Sequence, residues 1–111
     1  MSLSAILSPS GSKEDKLLES IDAGLDSFGK SVTHVIYWRF STIYKADKRD
    51  VLKKPDMFRE SLYSFFGERA LLVESSVVSS IINTFHLSEV KKSDSLTRAI
   101  SEAMKKIREF G

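Results

Sequence analysis

The feature of this sequence that most constrains its fold is the helical spacing of apolar residues between residues 17 and 87. Glycine or proline interrupts this spacing at Gly29, Pro55 and Gly67, in positions typical of helix ends. Apolar residues that recur every three or four positions form one stripe along a helix, and such stripes pack together. The pattern therefore predicts an all-α protein, a compact bundle of four main helices with a fifth helix at the C-terminus.

Capping residues mark the start of three of the five predicted helices. Ser12 is expected to cap the first helix, Ser31 the second, and Ser93 or Asp94 the last. Segment 31–44 is rich in β-branched and aromatic residues that also suit a strand, but the run is longer than an ordinary strand of about 5–6 residues. Ten side chains are expected to form the core: Leu18, Ile21, Leu25, Ile36, Trp38, Leu62, Phe66, Val77, Ile81 and Phe85.

Two further packing features are expected in the first and fourth helices. Gly24 would allow a neighbouring helix to approach closely, because it has no side chain. The fourth helix should present a wide buried face that includes Leu71 and Leu72, while its serines are small enough for tight helix contacts.

Length and composition are those of one soluble domain. The chain has 111 residues, of which 41% are hydrophobic, and no segment approaches the ~20 consecutive apolar residues that cross a bilayer. The absence of cysteine excludes disulfides and fits a reducing compartment, so a cytoplasmic location is expected. Residues 1–12 are interpreted as a flexible leader, residues 13–87 as the bundle core, and residues 93–110 as a helix of the same domain or an oligomerisation element.

No reactive constellation accompanies the helical pattern. His34 and His86 lack metal-ligand spacing and are expected on a helix surface and near a helix end. The sequence contains no hydrolase serine signature and no phosphate-binding glycine loop. We therefore predict no enzymatic activity, no catalytic residue, no metal, no cofactor and no evident small-molecule substrate.

Two pairs of residues raise smaller hypotheses. Asp22 and Asp26 lie four residues apart on one helix face, where they could bind a cation or a basic partner, although a solvated face is the favoured interpretation. Tyr37 and Trp38 could line a ligand pocket, although core packing is favoured. If Trp38 is central to the core, Trp38→Ala should destabilise the protein by roughly 3–5 kcal/mol.

Several elements of the sequence resemble a known family. They are the run Ile21 to Leu25 with Gly24 inside it, the pair Tyr37-Trp38, the segment 54–58, and the pair Phe66-Gly67. Over about residues 17–87 they resemble a small archaeal family described as a Nitrosopumilus output domain of the fifth type. Membership implies an archaeal, cytoplasmic, helical protein with a sensory or regulatory output role, and the family brings no established catalytic residues to transfer. The helix after residue 93 lies outside the likeness.

The last helix carries a narrow apolar stripe that could lie on the bundle or pair with another chain. We predict that it is a partner interface and that the protein forms a homodimer or binds a protein partner. The acidic first helix and the basic connector, residues 45–59, would then set the orientation by charge complementarity. The expected function is a small regulatory or signalling-output module that acts by protein–protein interaction. The stripe consists of Leu96, Ile100, Ala103, Ile107 and Phe110.

The alternative is a nucleic-acid-binding regulator that uses residues 45–59. This segment holds six basic side chains against three aspartates, and basic side chains neutralise phosphates. A solvated loop remains the favoured interpretation, because the interleaved aspartates weaken the positive potential. The six residues are Lys45, Lys48, Arg49, Lys53, Lys54 and Arg59.

Overall fold

The computed structural model describes residues 12–110, except for the side chain of Phe110. The helices of this range pack around one hydrophobic core, which confirms the predicted all-α bundle. None of them is long and apolar enough to cross a membrane. Apart from Ser12, the predicted leader lies outside the described residues. The helices are α1 Lys13–Asp26, α2 Lys30–Tyr44, α3 Asp50–Lys53, α4 Pro55–Phe66, α5 Ala70–Phe85 and α6 Leu96–Phe110, with a 3-10 turn at Gly67–Arg69.

Two of the first three helix starts, those marked by Ser12 and Pro55, lie where the sequence predicts them, and the prediction of Ser31 as a cap is wrong. Ser12 caps α1, since its Oγ accepts a hydrogen bond from the N–H of Asp15 at 3.1 Å. Gly29 has a φ of +111°, which L residues rarely adopt, and it takes the cap position of α2 that was expected of Ser31. Pro55 is the first residue of α4, where its missing N–H leaves no helical hydrogen bond unmade.

Two later segments differ from expectation. The basic connector contains the short helix α3, and Val51 and Leu52 of this helix are buried. Their two-residue apolar stretch is too short to stand out among the surrounding charges. The cap of α6 is Ser95, whose Oγ accepts a backbone N–H hydrogen bond at 3.1 Å, instead of Ser93 or Asp94.

The packing of α1 on α5 depends on small residues. A Cβ atom added to Gly24 would lie 2.6 Å from the Cα of Val77, so the two backbones touch without an intervening side chain. Ser76 donates a hydrogen bond from Oγ to the carbonyl of Gly24 at 3.1 Å, and Ser80 donates one to the carbonyl of Ser20 at 2.6 Å. The expected close approach at Gly24 and the tight contacts of the serines are thus confirmed.

Trp38 lies outside the core, contrary to the sequence-based expectation. It is 61% exposed, whereas Ile36 and Phe40 of the same helix are fully buried. Each of these residues is two positions from Trp38, which places the indole about 200° around the helix from them. The other expected core residues are buried, except that Phe66 is only partly buried.

The buried face of α5 is narrower at its start than expected. Leu71 and Leu72 are 64% and 66% exposed, because Ala70 and Val73 occupy the positions that face the core. Hydrophobicity alone did not distinguish the leucines from their buried neighbours.

The apolar stripe of α6 belongs to the core of this same chain. Leu96, Ile100 and Ala103 are fully buried, and Ile107 is nearly so. They pack against α1, α4 and α5, so these side chains have no free surface for a second chain. The predicted interface is therefore corrected, and the side chain of its fifth member, Phe110, lies outside the described residues.

A buried carboxylate, which the sequence analysis missed, fixes the start of α6. Glu74 of α5 is 3% exposed and accepts hydrogen bonds from the backbone N–H of Leu96 at 2.8 Å, from the Tyr63 hydroxyl and from the Arg59 guanidinium. Burial by itself raises the pKa of Glu74, but these hydrogen bonds outweigh it and lower the pKa below its usual value. The charged carboxylate thus joins three helices.

Candidate functional site

An open cleft of about 520 Å³ lies between α1 and α2 and is the candidate site. The α1 side provides Asp22 and Asp26, and the α2 side provides Tyr37, Trp38 and, at its start, Lys30. Lys48, from the turn before α3, lies at the edge. These residues come from three separate segments, and the antiparallel packing of α1 and α2 brings them together.

Two hydrogen bonds span the floor of the cleft. The Tyr37 hydroxyl donates to Oδ1 of Asp22 at 2.6 Å, and Thr33 Oγ1 donates to Oδ1 of Asp26 at 2.6 Å. The donors and the acceptors are each four residues apart, which is one helical turn, so the two bonds are successive rungs between the helices. Both carboxylates are thereby oriented, and each retains further acceptor capacity.

Lys48 binds at one end of this floor. Its Nζ lies 2.6 Å from Oδ2 of Asp22 and 5.0 Å from the centroid of the Tyr37 ring. The ammonium group therefore has a carboxylate and an aromatic face as neighbours, the combination that favours cations. Burial, followed by the hydrogen bond to Asp22, raises the pKa of Tyr37, so its hydroxyl stays protonated and continues to donate.

Trp38 forms the outer wall. It is the only tryptophan of the chain, and most of its surface is open to solvent. An indole ring offers a large apolar area and a negative π face to an incoming group. Together with the carboxylates of Asp22 and Asp26, it can hold an organic cation that also has an apolar stem.

The structure joins two pairs that the sequence analysis treated separately. Asp22 and Asp26 are half-buried and hydrogen-bonded instead of forming a freely solvated face. Tyr37 packs against the core, as favoured, whereas Trp38 does not. The sequence held no signal for their juxtaposition, because it requires the order of helix packing.

The basic connector is partly neutralised within the chain. Lys48 pairs with Asp22, Arg49 with Asp15, and Arg59 with the buried Glu74. The acidic groups of α1 and the basic groups of the connector were expected to orient a second chain. They instead form ion pairs with each other inside one chain. Three of the six predicted nucleic-acid residues have no ion-pair partner among the described residues and are exposed: Lys45, Lys53 and Lys54.

The two histidines lie apart. His34 is exposed on α2 beside the cleft, and His86 follows the last turn of α5 with a φ of +54°, both as expected. Within residues 12–110, no three histidine or carboxylate side chains are grouped so that they could hold a metal ion.

The chain matches no protein-family model, no curated protein and no solved structure. Functional inference therefore depends on the geometry of the cleft.

Proposed function

We propose that this protein is a small non-enzymatic regulatory or signalling module that binds another protein through the α1–α2 cleft. The partner inserts a lysine or arginine side chain between Trp38 and the two aspartates. This proposal keeps the protein–protein interaction expected from the sequence and moves it from α6 to the cleft. The regulatory role also draws on the family resemblance of residues 17–87.

The observation that carries the proposal is the exposure of Trp38 in a fold whose core is already filled. A tryptophan that contributes nothing to the core leaves a large apolar area in water, and docking a partner there removes this area from solvent. Tryptophan is also among the residues most enriched at the energetically dominant positions of interfaces.

The carboxylates define the chemistry of the partner. Asp22 and Asp26 favour a cation next to their own oxygens and disfavour a phosphate there. Lys30 and Lys48 also line the cleft, so recognition depends on these local carboxylates and not on the net charge of the cleft. An arginine or lysine has an apolar stem for the indole and a charged head for the carboxylates, so one side chain satisfies both. The nucleic-acid alternative is less supported, because half of its six basic residues already bind carboxylates of the chain.

The proposal is tested with three baits: the wild-type chain, Trp38→Ala, and Leu72→Ala as a control that removes an equally exposed apolar side chain outside the cleft. Proteins retained from an extract of the source cells are identified, purified and titrated individually by calorimetry. We expect a partner whose affinity falls about 30-fold with Trp38→Ala and is unchanged with Leu72→Ala.

Two results would contradict the proposal. One is a purified partner that binds Trp38→Ala as tightly as the wild type. The other is that all specific binding is explained by something else and does not change with Trp38→Ala. This would be either self-association, detected by light scattering, or a complex with duplex DNA.

A further inference from the structure

Lys48 already occupies the cleft in the way that a ligand's ammonium group would. Its Nζ contacts the Asp22 carboxylate at 2.6 Å and lies over the Tyr37 ring at 5.0 Å. Within the chain itself, the cleft thus already binds a primary ammonium group between a carboxylate and an aromatic face.

The backbone that carries Lys48 is held firmly. Asp47 accepts a hydrogen bond from the N–H of Arg49 at 3.0 Å, and Asp50 accepts one from the N–H of Asp47 at 3.0 Å. The side chain of Lys48, in contrast, is 47% exposed. Its long stem can rotate into solvent without any change in the turn, so the ammonium can leave the cleft while the fold stays the same.

Departure of Lys48 would leave one oxygen of Asp22 without its partner. Oδ1 accepts from Tyr37 and Oδ2 from Lys48, and the carboxylate side chain is only 25% exposed. A half-buried carboxylate oxygen is stabilised by a replacement cation. When the partner's ammonium group replaces that of Lys48, Asp22 keeps one bond to an ammonium group. The contact of the partner's side chain with Trp38 is additional and provides the favourable free energy of binding.

We propose that Lys48 is an internal competitor for the basic side chain of the partner, so that the cleft is self-occupied until a partner displaces it. This inference rests on the proposed function and adds its regulation. Any change that neutralises Lys48 opens the cleft, whereas neutralisation of another lysine in the connector does not.

The test uses the full chain and the peptide acetyl-Gly-Lys-Gly-amide, with the fluorescence of Trp38 and the NMR signal of its indole N–H as readouts at constant ionic strength. Lys48→Gln should bind the peptide about two- to fivefold more tightly than the wild type, the factor that corresponds to an exposed ion pair. Lys53→Gln is the matched control, because it removes an exposed lysine of the same connector that has no ion-pair partner among the described residues. It should leave the affinity unchanged.

A second peptide, with norleucine in place of lysine, tests the chemistry. It should not bind, since it keeps the apolar stem and lacks the ammonium group. Equal binding of the two peptides, no binding of the lysine peptide to any variant, or equal affinities of Lys48→Gln and Lys53→Gln would overturn the inference.

These results are separable from those for the proposed function. A partner that needs Trp38 but binds the wild type and Lys48→Gln equally would refute the competitor and leave the protein-binding function intact. The proposed function would be refuted instead if the lysine peptide binds Lys48→Gln more tightly than the wild type but the affinity of the partner does not change with Trp38→Ala.

Discussion

The two sides of α1 are packed in opposite ways. On the α5 side, Gly24 brings the backbones of α1 and α5 into contact, and serine hydroxyls close the remaining gaps. On the α2 side, Asp22 and Asp26 meet Tyr37 and Thr33 through their side-chain ends, and an open cleft remains. Glycine lets the backbones of α1 and α5 touch, whereas on the other side polar side chains meet end to end between α1 and α2. Stability should therefore depend on the α5 side and binding on the α2 side.

A large effect on stability is expected at the buried charge of α5, where this helix meets α4 and α6. Glu74→Ala removes the carboxylate that pairs with Arg59 and accepts the N–H of Leu96, and both donors lose a buried partner. We expect a loss of about 3–5 kcal/mol in the free energy of unfolding, measured by urea denaturation. Glu60→Ala, at an exposed position of α4, is the control and should change it by less than about 0.5 kcal/mol.

Gly24→Ala tests the helix contact itself. Alanine is the better helix former by about 1 kcal/mol, but its Cβ would meet the backbone of Val77. We expect the overlap to prevail and to destabilise the protein by about 1–3 kcal/mol. Ala23→Leu adds a larger side chain at the exposed neighbouring position and should be nearly neutral. A Gly24→Ala protein more stable than the wild type would contradict the close contact.

The pH dependence of stability should come from Glu74, on the part of α5 that meets α4 and α6. Burial acts to raise the pKa of Glu74, but its hydrogen bonds prevail and hold the folded pKa below the usual value of a glutamate. The stabilisation is therefore fully present above the pKa of the unfolded chain and is lost as the pH falls through the folded pKa. Chemical denaturation between pH 7 and pH 3 should show a steeper acid loss for the wild type than for Glu74→Gln. Parallel curves for the two proteins would contradict this assignment.

The smallest effect on stability is expected on the α2 side. Trp38→Ala removes a side chain that packs outside the core, so the free energy of unfolding should change by no more than about 0.5 kcal/mol. Phe40→Ala, two residues away and fully buried, should cost about 3–5 kcal/mol. Similar losses of stability for the two variants would show that Trp38 packs in the core and would contradict its exposed position.

The sequence predicted the helices better than it predicted their faces. Gly29 and Pro55 lie at helix boundaries because their backbone properties are local and independent of packing. Trp38 was misplaced because a strongly apolar side chain does not by itself reveal which side of α2 faces the core. Glu74 was missed because a charged side chain is expected at the surface. Its hydrogen-bond donors come from α4 and α6, and the sequence does not show that these helices lie next to it.

The candidate site was predictable only in parts. The spacing of Asp22 and Asp26 on one helix face, and the pairing of Tyr37 with Trp38, could be read from the chain. Their meeting across the cleft depends on which helices are neighbours. The α6 stripe illustrates the same limit, because an apolar stripe that fits a partner chain fits the bundle equally well.

The most direct test of the account is the fluorescence of the only tryptophan in the folded protein. Emission at the long wavelength of a water-exposed indole, with efficient quenching by acrylamide, is the predicted result. The double variant Trp38→Phe with Phe40→Trp moves the indole into the core and should emit at shorter wavelength with little quenching. A wild-type emission that is short in wavelength, protected from acrylamide and released only by urea would contradict the exposed wall of the cleft and the function proposed for it.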